Sequence, residues 1–201
     1  MSNVETNSQP KQRRPGGRTS DVTRRLFAAT LAILEEQGYG ALAFVDVAER
    51  SGVARTTIYR RWTSRAALAL DAIESSVADN IDMHDTGSFA GDLTNALTQI
   101  GRFIESPGGR AAILASFEMA GGPEADERAS LWLHRRDQVV GLYDRAVARG
   151  EIDDTVDPDL AFSRVAGSIY FRAIVMGSPI TPEWIDAVVR DATIGINPPK
   201  A

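Results

Sequence analysis

The residues best suited to chemistry lie in one short run, Arg55–Arg61, which reads RTTIYRR. Every side chain in this run except Ile58 can donate a hydrogen bond, and none is acidic. Arginine can donate two parallel hydrogen bonds to O6 and N7 of guanine, whereas threonine and tyrosine hydroxyls suit phosphate oxygens. The run therefore predicts contact with nucleic acid through six residues: Arg55, Thr56, Thr57, Tyr59, Arg60 and Arg61.

Such side chains need a helix that can enter a groove, and the flanking sequence predicts one. A first short helix is expected over about Phe44–Arg50, a tight turn at Ser51-Gly52-Val53, and a second helix over about Arg55–Trp62. Ile58 and Trp62, four residues apart, form an apolar stripe that would hold the second helix against its neighbours. Two short helices around a glycine-containing turn are the helix-turn-helix arrangement, whose second helix enters the major groove.

Charge is divided unevenly along the chain, although the net charge of the whole chain is −5. Residues 1–70 contain eleven Lys and Arg against six Asp and Glu, whereas residues 71–201 contain eleven against twenty-one. This asymmetry favours a basic module for a polyanion joined to an acidic body. A chance distribution of charge over solvent-exposed faces would give the same counts. The run at residues 55–61 favours the basic module that binds a polyanion.

The remaining sequence predicts an all-α protein with about nine helices. Residues 1–18 form a polar, basic arm that we expect to be disordered, and apolar residues recur at helical spacing from Thr19 onwards. No segment alternates with period two between hairpin turns. Beyond the helix-turn-helix, the expected helices are 65–82, 88–105, 110–120, 125–149, 158–177 and 182–195.

Composition excludes several classes of protein. The chain has no cysteine, so it contains no disulfide, thiolate metal site or cysteine nucleophile. No apolar run approaches the ~18 residues of a membrane span, and the N-terminus lacks the apolar core of a signal peptide. We therefore expect a cytoplasmic protein that needs no membrane, metal or cofactor.

Between residues 20 and 70 the sequence resembles the TetR family of transcriptional regulators. The resemblance rests on the order of Gly38-Tyr39, Val47-Ala48, Gly52-Val53, Thr57-Ile58-Tyr59, Trp62, Ser64-Arg65 and Ala67-Leu68. It implies a helix-turn-helix domain over residues 19–65 and an effector-binding and dimerisation domain over residues 66–201. It also implies a homodimer that binds a palindromic operator in double-stranded DNA and responds to a small-molecule effector of unknown identity.

The resemblance implies a role for each polar residue of the second helix and its flanks. Thr57 and Tyr59 would contact phosphates. Arg65, where the family usually has a lysine, would bind one phosphate together with the N-terminus of the fourth helix. Four residues would lie at or near base edges: Arg55, Thr56, Arg60 and Arg61. Arg18, in the basic arm, is also predicted to bind DNA.

Two alanines depart from the family pattern. Ala43 and Ala54 stand where family members usually have a Ser or Thr that caps the second or the third helix. The loss of such a cap typically costs about 0.5–2 kcal/mol. We therefore expect this module to fray more readily than most until DNA or packing holds it.

The acidic body offers apolar residues for two different roles. The helix at 125–149 is apolar on two faces and the helix at 158–177 has a ridge of small residues, which favours a dimer interface at Val139, Tyr143, Ala166 and Ala173. A pocket among the middle helices is predicted to be lined by Phe89, Phe103, Phe117, Met119, Trp132 and Tyr170. Burial in the core of a monomeric bundle would also explain both sets.

These observations favour a ligand-responsive DNA-binding repressor that acts as a homodimer. One alternative is a helical small-molecule-binding protein or enzyme with a vestigial helix-turn-helix, and another is an unspecific architectural DNA binder. An enzyme is disfavoured because the sequence has no metal-spaced His/Asp cluster, no Gly-rich phosphate loop after a strand and no Ser/His/Asp arrangement.

Overall fold

A computed structural model describes residues 17–120, 125–153, 155 and 157–196 of the chain. These residues form nine α-helices and no strand, which confirms the all-α prediction. A 3₁₀ turn at Tyr39–Ala41 follows the first helix, and a π-helical turn at Phe171–Val175 continues the eighth. The helices are α1 Gly17–Gln37, α2 Phe44–Ser51, α3 Arg55–Arg61, α4 Arg65–Asn80, α5 Phe89–Glu105, α6 Pro107–Glu118, α7 Ala125–Ala148, α8 Pro158–Tyr170 and α9 Pro182–Ile196.

Helix ends differ from the prediction by a few residues, and the differences have local causes. α6 begins earlier than expected because the Ser106 hydroxyl accepts a hydrogen bond from the Gly109 N–H at 3.1 Å, and Pro107 already has helical φ at the first position. α1 begins at Gly17, two residues before the predicted domain boundary. The arm predicted over residues 1–18 lies outside the described residues except for Gly17 and Arg18, and the side chain of Arg18 is not described.

Helix α1 is the centre of the N-terminal half. Leu26 and Ile33 of α1 are fully buried in one core with Val47 of α2 and Ile58 of α3. α1 also packs against α4 and α6. Because α6 belongs to the C-terminal half, α1 connects the two short helices α2 and α3 with the rest of the molecule.

A buried carboxylate joins several elements of the C-terminal half. Asp92, in the first turn of α5, is fully buried and accepts hydrogen bonds from the backbone N–H (2.6 Å) and the hydroxyl (2.7 Å) of Thr86. Its other oxygen lies 3.2 Å from Arg149 and 3.5 Å from Arg145, at the C-terminal end of α7. Burial opposes the ionisation of Asp92, but the hydrogen bonds and the nearby arginines outweigh it and lower its pKa.

No helix in the described part of the chain is both long and apolar enough to cross a membrane. Across the same residues, no three His, Asp or Glu side chains lie close enough together to hold a metal ion.

Candidate functional site

The turn between α2 and α3 depends on one glycine. Gly52 ends α2 in the left-handed conformation, with φ of 65°, and its N–H points to the carbonyl oxygens of Ala48 and Glu49. The next N–H, that of Val53, donates to the Ala48 carbonyl at 3.3 Å. A side chain at position 52 would strain this backbone, so the glycine fixes the direction in which α3 leaves the turn.

The inner face of α3 is anchored to α1 and α4. Ile58 is fully buried, and Trp62, directly after α3, is almost completely buried. The indole N–H of Trp62 donates to the Asp71 carboxylate of α4 at 2.8 Å. The Trp62 ring packs edge to face on the ring of Phe27 in α1, with the ring centres 6.1 Å apart. The stripe predicted from the spacing of Ile58 and Trp62 is therefore the surface that holds α3 in place.

The outer face of α3 presents polar side chains to solvent. An α-helix turns by about 100° per residue, so Thr56 and Arg60 lie on the side opposite to Ile58. Both are exposed, as is Arg55. Tyr59 is 61% exposed and leans edge to face on the ring of Phe44, with the ring centres 5.0 Å apart. This face can offer hydrogen bonds to base edges at its centre and to phosphates at its sides.

Two of the arginines predicted to contact DNA are engaged within the chain. Arg61 donates to the Thr23 hydroxyl of α1 at 2.7 Å. Its guanidinium carbon lies over the Trp62 ring, 4.5 Å from the ring centre. Arg65 donates to the Gly40 carbonyl at 3.2 Å. Its guanidinium carbon lies over the Tyr39 ring, 4.7 Å from the ring centre. In this conformation Arg61 packs α3 against α1, and Arg65 holds the start of α4 to the 3₁₀ turn.

Neither α2 nor α3 has a side-chain cap. Ala43 and Ala54 occupy the N-cap positions without a side-chain hydrogen bond, in contrast to Ser64, whose hydroxyl accepts from the Ala67 N–H at 3.0 Å and caps α4. Thr57, inside α3, is partly buried. The departure from the family pattern at the two alanines thus corresponds to two uncapped helix starts.

Restoring one of these caps tests its cost directly. The backbone of Ala43 is extended, with φ of −133° and ψ of 145°, which suits a capping serine. We expect Ala43→Ser to raise the free energy of unfolding by about 0.5–2 kcal/mol in urea denaturation. Ala187→Ser, at an exposed position inside α9, is the matched control and is expected to be slightly destabilising. Equal effects of the two substitutions would contradict the capping argument.

A cavity of about 60 Å³ lies among α4, α5, α6, α7 and α8 of the C-terminal half. Its wall is largely apolar, with Ile73 and Val77 from α4 and Leu97 from α5 among the residues that form it. Of the six residues predicted to line a pocket, Phe103, Trp132 and Tyr170 are in the wall. Outside it lie Phe89 and Met119, which are buried in the core, and Phe117, which is 37% exposed beside Trp132 and Tyr170.

The polar groups of the cavity wall come mainly from α7. Arg135 and Gln138, three residues apart, line the cavity beside Trp132. Burial lowers the pKa of the Arg135 guanidinium and raises the pKa of the Tyr170 hydroxyl to about 12. Neither Arg135 nor Gln138 was predicted from the sequence to line a pocket. Their spacing could have identified them, because residues 132, 135 and 138 follow one another at three-residue steps and therefore lie near one another on the helix surface.

The four residues predicted to form a dimer interface lie mostly inside the subunit. Val139, Tyr143 and Ala173 are at most 7% exposed in the single chain. Val139 and Ala166 form part of the cavity wall, and Tyr143 packs edge to face on Phe89 at 5.1 Å. Their side chains therefore have little surface left to offer to a partner.

The geometry of α2, the glycine turn and α3 defines a DNA-binding protein of the helix-turn-helix class. Two family models match the chain. The model described as bacterial regulatory proteins, tetR family, matches residues 26–72. The model described as tetracyclin repressor-like, C-terminal domain, matches residues 83–192. The first matched segment contains the helix-turn-helix, and the second contains the cavity wall apart from Ile73, Val77 and Ile81.

Individual proteins agree with the family models. The chain is 31% identical to the HTH-type transcriptional regulator AqdR of Rhodococcus erythropolis, over 78% of this chain and 76% of that protein. It is 30% identical to the DNA-binding transcriptional repressor TetR of Mycobacteroides abscessus, over 88% of this chain and 94% of that protein. The crystal structure of the TetR family transcription regulator SCO0332 superposes with a TM-score of 0.70 at 27% identity, over 89% of this chain and 100% of that chain. The chain belongs to the TetR family of transcriptional regulators, which are DNA-binding proteins and not enzymes.

Proposed function

We propose that the chain is a homodimeric repressor that binds a palindromic operator through α3 and is released when a small molecule occupies the cavity. The proposal divides the chain into a helix-turn-helix domain over residues 19–65 and an effector-binding and dimerisation domain over residues 66–201. The similarity to a relative named a transcriptional repressor supports repression as the regulatory outcome.

The observation that carries the proposal is the outer face of α3. Thr56 and Arg60 point away from the core, and neither Arg55 nor Arg60 makes an ion pair with any described residue. An unpaired basic face on a helix that is anchored from behind fits the major groove, which is about 12 Å wide and admits one helix. We assign Arg55, Thr56 and Arg60 to base edges and Thr57 and Tyr59 to phosphates.

A dimer surface is available on α8 and the π-helical turn that continues it. Leu160, Phe171, Val175 and Met176 are apolar and between 57 and 69% exposed. Leu160, Gly167, Phe171 and Val175 recur at seven- and four-residue intervals, so they lie along one side of the helix. Large apolar side chains grouped on one exposed side favour a partner surface. We therefore place the two-fold interface there and not on the buried residues of α7.

A charge on this surface should separate the subunits. We expect Val175→Asp to weaken the dimer by about 30-fold or more, because a buried interfacial position would have to hold an unpaired carboxylate in both copies. Val45→Asp, which changes an exposed valine on α2, is the control and should leave the dimer unchanged. Sedimentation velocity over a concentration series measures both. A Val175→Asp protein with the dimer constant of the unmodified chain would exclude this surface.

The experiment that tests the proposed function is selection of bound DNA from a random duplex library at two salt concentrations. Enrichment of a palindrome with half-site centres about one helical turn apart is expected for a two-fold dimer. Three or four neutralised phosphates per subunit predict a slope of log affinity against log salt of about −5 to −7. A promoter carrying the selected site should then be repressed. Enrichment of no sequence would contradict the proposal.

A further inference from the structure

The polar groups in the cavity wall are mainly hydrogen-bond donors. Arg135 is the one cation among the described residues that line the cavity, and none of them is acidic. The indole N–H of Trp132 is buried and has no hydrogen-bond partner among the described residues. The Tyr170 hydroxyl is protonated at neutral pH, like any tyrosine, and burial raises its pKa further, to about 12. Such a wall complements a ligand that brings acceptors and negative charge.

The guanidinium of Arg135 is only partly satisfied by the protein. It donates to the Gln138 side-chain oxygen at 2.8 Å and to the Glu74 backbone carbonyl at 3.4 Å. Both acceptors are neutral. The Glu74 carboxylate is half-exposed, lies 3.5 Å from His134 and acts on Arg135 through space without a hydrogen bond to it. A partly buried arginine that donates only to neutral acceptors is desolvated without a bonded carboxylate, and an anionic ligand would supply one.

The size and chemistry of the wall limit the rest of the ligand. A cavity of about 60 Å³ holds on the order of four to six water-sized groups, which corresponds to about four to six non-hydrogen atoms. Ile73, Val77 and Leu97 offer branched aliphatic surface, and the Trp132 and Tyr170 rings meet edge to face with their centres 5.6 Å apart. This surface fits a short branched chain.

We propose that the effector is a compact apolar monocarboxylate. Its carboxylate would bind the Arg135 guanidinium and the Trp132 indole N–H, and its apolar part would lie against the aliphatic wall from α4 and α5. This inference rests on the proposed function, since it names the chemical class of the small molecule that the cavity takes.

The test uses isobutyrate, which has six non-hydrogen atoms, and its neutral isostere isobutyramide, titrated into the whole chain without DNA in a calorimeter. We expect isobutyrate to bind at least about tenfold more tightly than isobutyramide, as a charge-assisted hydrogen bond to a partly buried arginine would give. Arg135→Gln should remove this preference, and Arg135→Lys should retain part of it. Trp132→Phe keeps an aromatic ring without the N–H and should weaken the binding of isobutyrate more than that of isobutyramide.

The control for charge is Arg136→Gln. Arg136 is the next residue on α7 and pairs with Asp159 at the surface, so its loss should leave isobutyrate binding unchanged. Equal affinity for isobutyrate and isobutyramide, an unchanged preference in Arg135→Gln, or binding of neither compound would overturn the inference. If Arg135→Gln has a lowered melting temperature, the Trp132→Phe comparison decides.

The same protein samples separate this inference from the proposed function. Operator binding is measured on each variant without any ligand. A chain that binds its operator but does not distinguish isobutyrate from isobutyramide contradicts only the carboxylate inference. A chain that prefers isobutyrate but binds no operator contradicts the proposed function.

Discussion

Arg60→Ala should weaken operator binding by about 30-fold or more while leaving the fold intact. Arg60 is exposed on the side of α3 opposite to Ile58, where a guanidinium can donate two hydrogen bonds to guanine. Each such pair contributes about 1–3 kcal/mol of base discrimination, and a dimer on a palindrome has two copies. Binding to random DNA should fall much less, because it depends on phosphate contacts. Fluorescence anisotropy with the selected operator and a scrambled duplex measures both affinities.

Arg190→Ala is the matched control for Arg60→Ala. Arg190 is exposed on α9, so its replacement changes the net charge by the same amount at a distance from α3. It should leave both affinities nearly unchanged. Equal losses on operator and scrambled DNA in Arg60→Ala would show that Arg60 contacts the DNA backbone and does not read a base.

Asp92→Ala should cost about 3 kcal/mol of folding free energy, which corresponds to a fall in melting temperature of about 6–12 °C. The substitution removes the acceptor of two Thr86 hydrogen bonds and leaves Arg145 and Arg149 without their shared carboxylate. The estimate is at the lower end of the range for a broken buried pair because both arginines remain partly exposed. Asp144→Ala, at an exposed position on α7, should change stability by less than about 0.5 kcal/mol.

The same carboxylate predicts how stability depends on pH. The pKa of Asp92 is lower in the folded chain than its ordinary value, so the folded state binds this proton less readily than the unfolded state. Its stabilising effect is therefore complete above the ordinary pKa of about 3.9 and is lost as the pH falls through the lower, folded value. Asp92→Asn should flatten this acid limb in urea denaturation. An acid limb identical to that of the unmodified chain would contradict the assignment.

The helix-turn-helix could be predicted because its signals are local. Gly52 marks a backbone that needs positive φ, and the four-residue spacing of Ile58 and Trp62 marks the face that must be buried. The uncapped starts of α2 and α3 follow equally from the residue types at positions 43 and 54. Each of these features depends on residues within one turn of helix, so a single sequence contains the whole signal.

The cavity could be predicted only in part, because apolar spacing shows that a face is buried but not against what. Val139 and Ala166 are apolar at the spacing of an interface, yet the structure places them in the cavity wall. Phe117 is apolar at the spacing of a core residue, yet it is 37% exposed. Apolar residues at this spacing on α7 could pack in the core, line a cavity or contact a partner subunit. Which of these occurs depends on how helices that are distant in sequence pack together.

The sequence by itself therefore determined the class of fold, the position of the helix-turn-helix and the set of basic residues around it. The tertiary structure decided which of those residues have partners within the chain. Arg60 and Arg61 are chemically identical neighbours, but Arg61 meets the Thr23 hydroxyl 38 residues away and the Trp62 ring, whereas Arg60 faces solvent. Helix propensity and capping act between residues a few positions apart, while a side chain's partners depend on which helices the fold brings together.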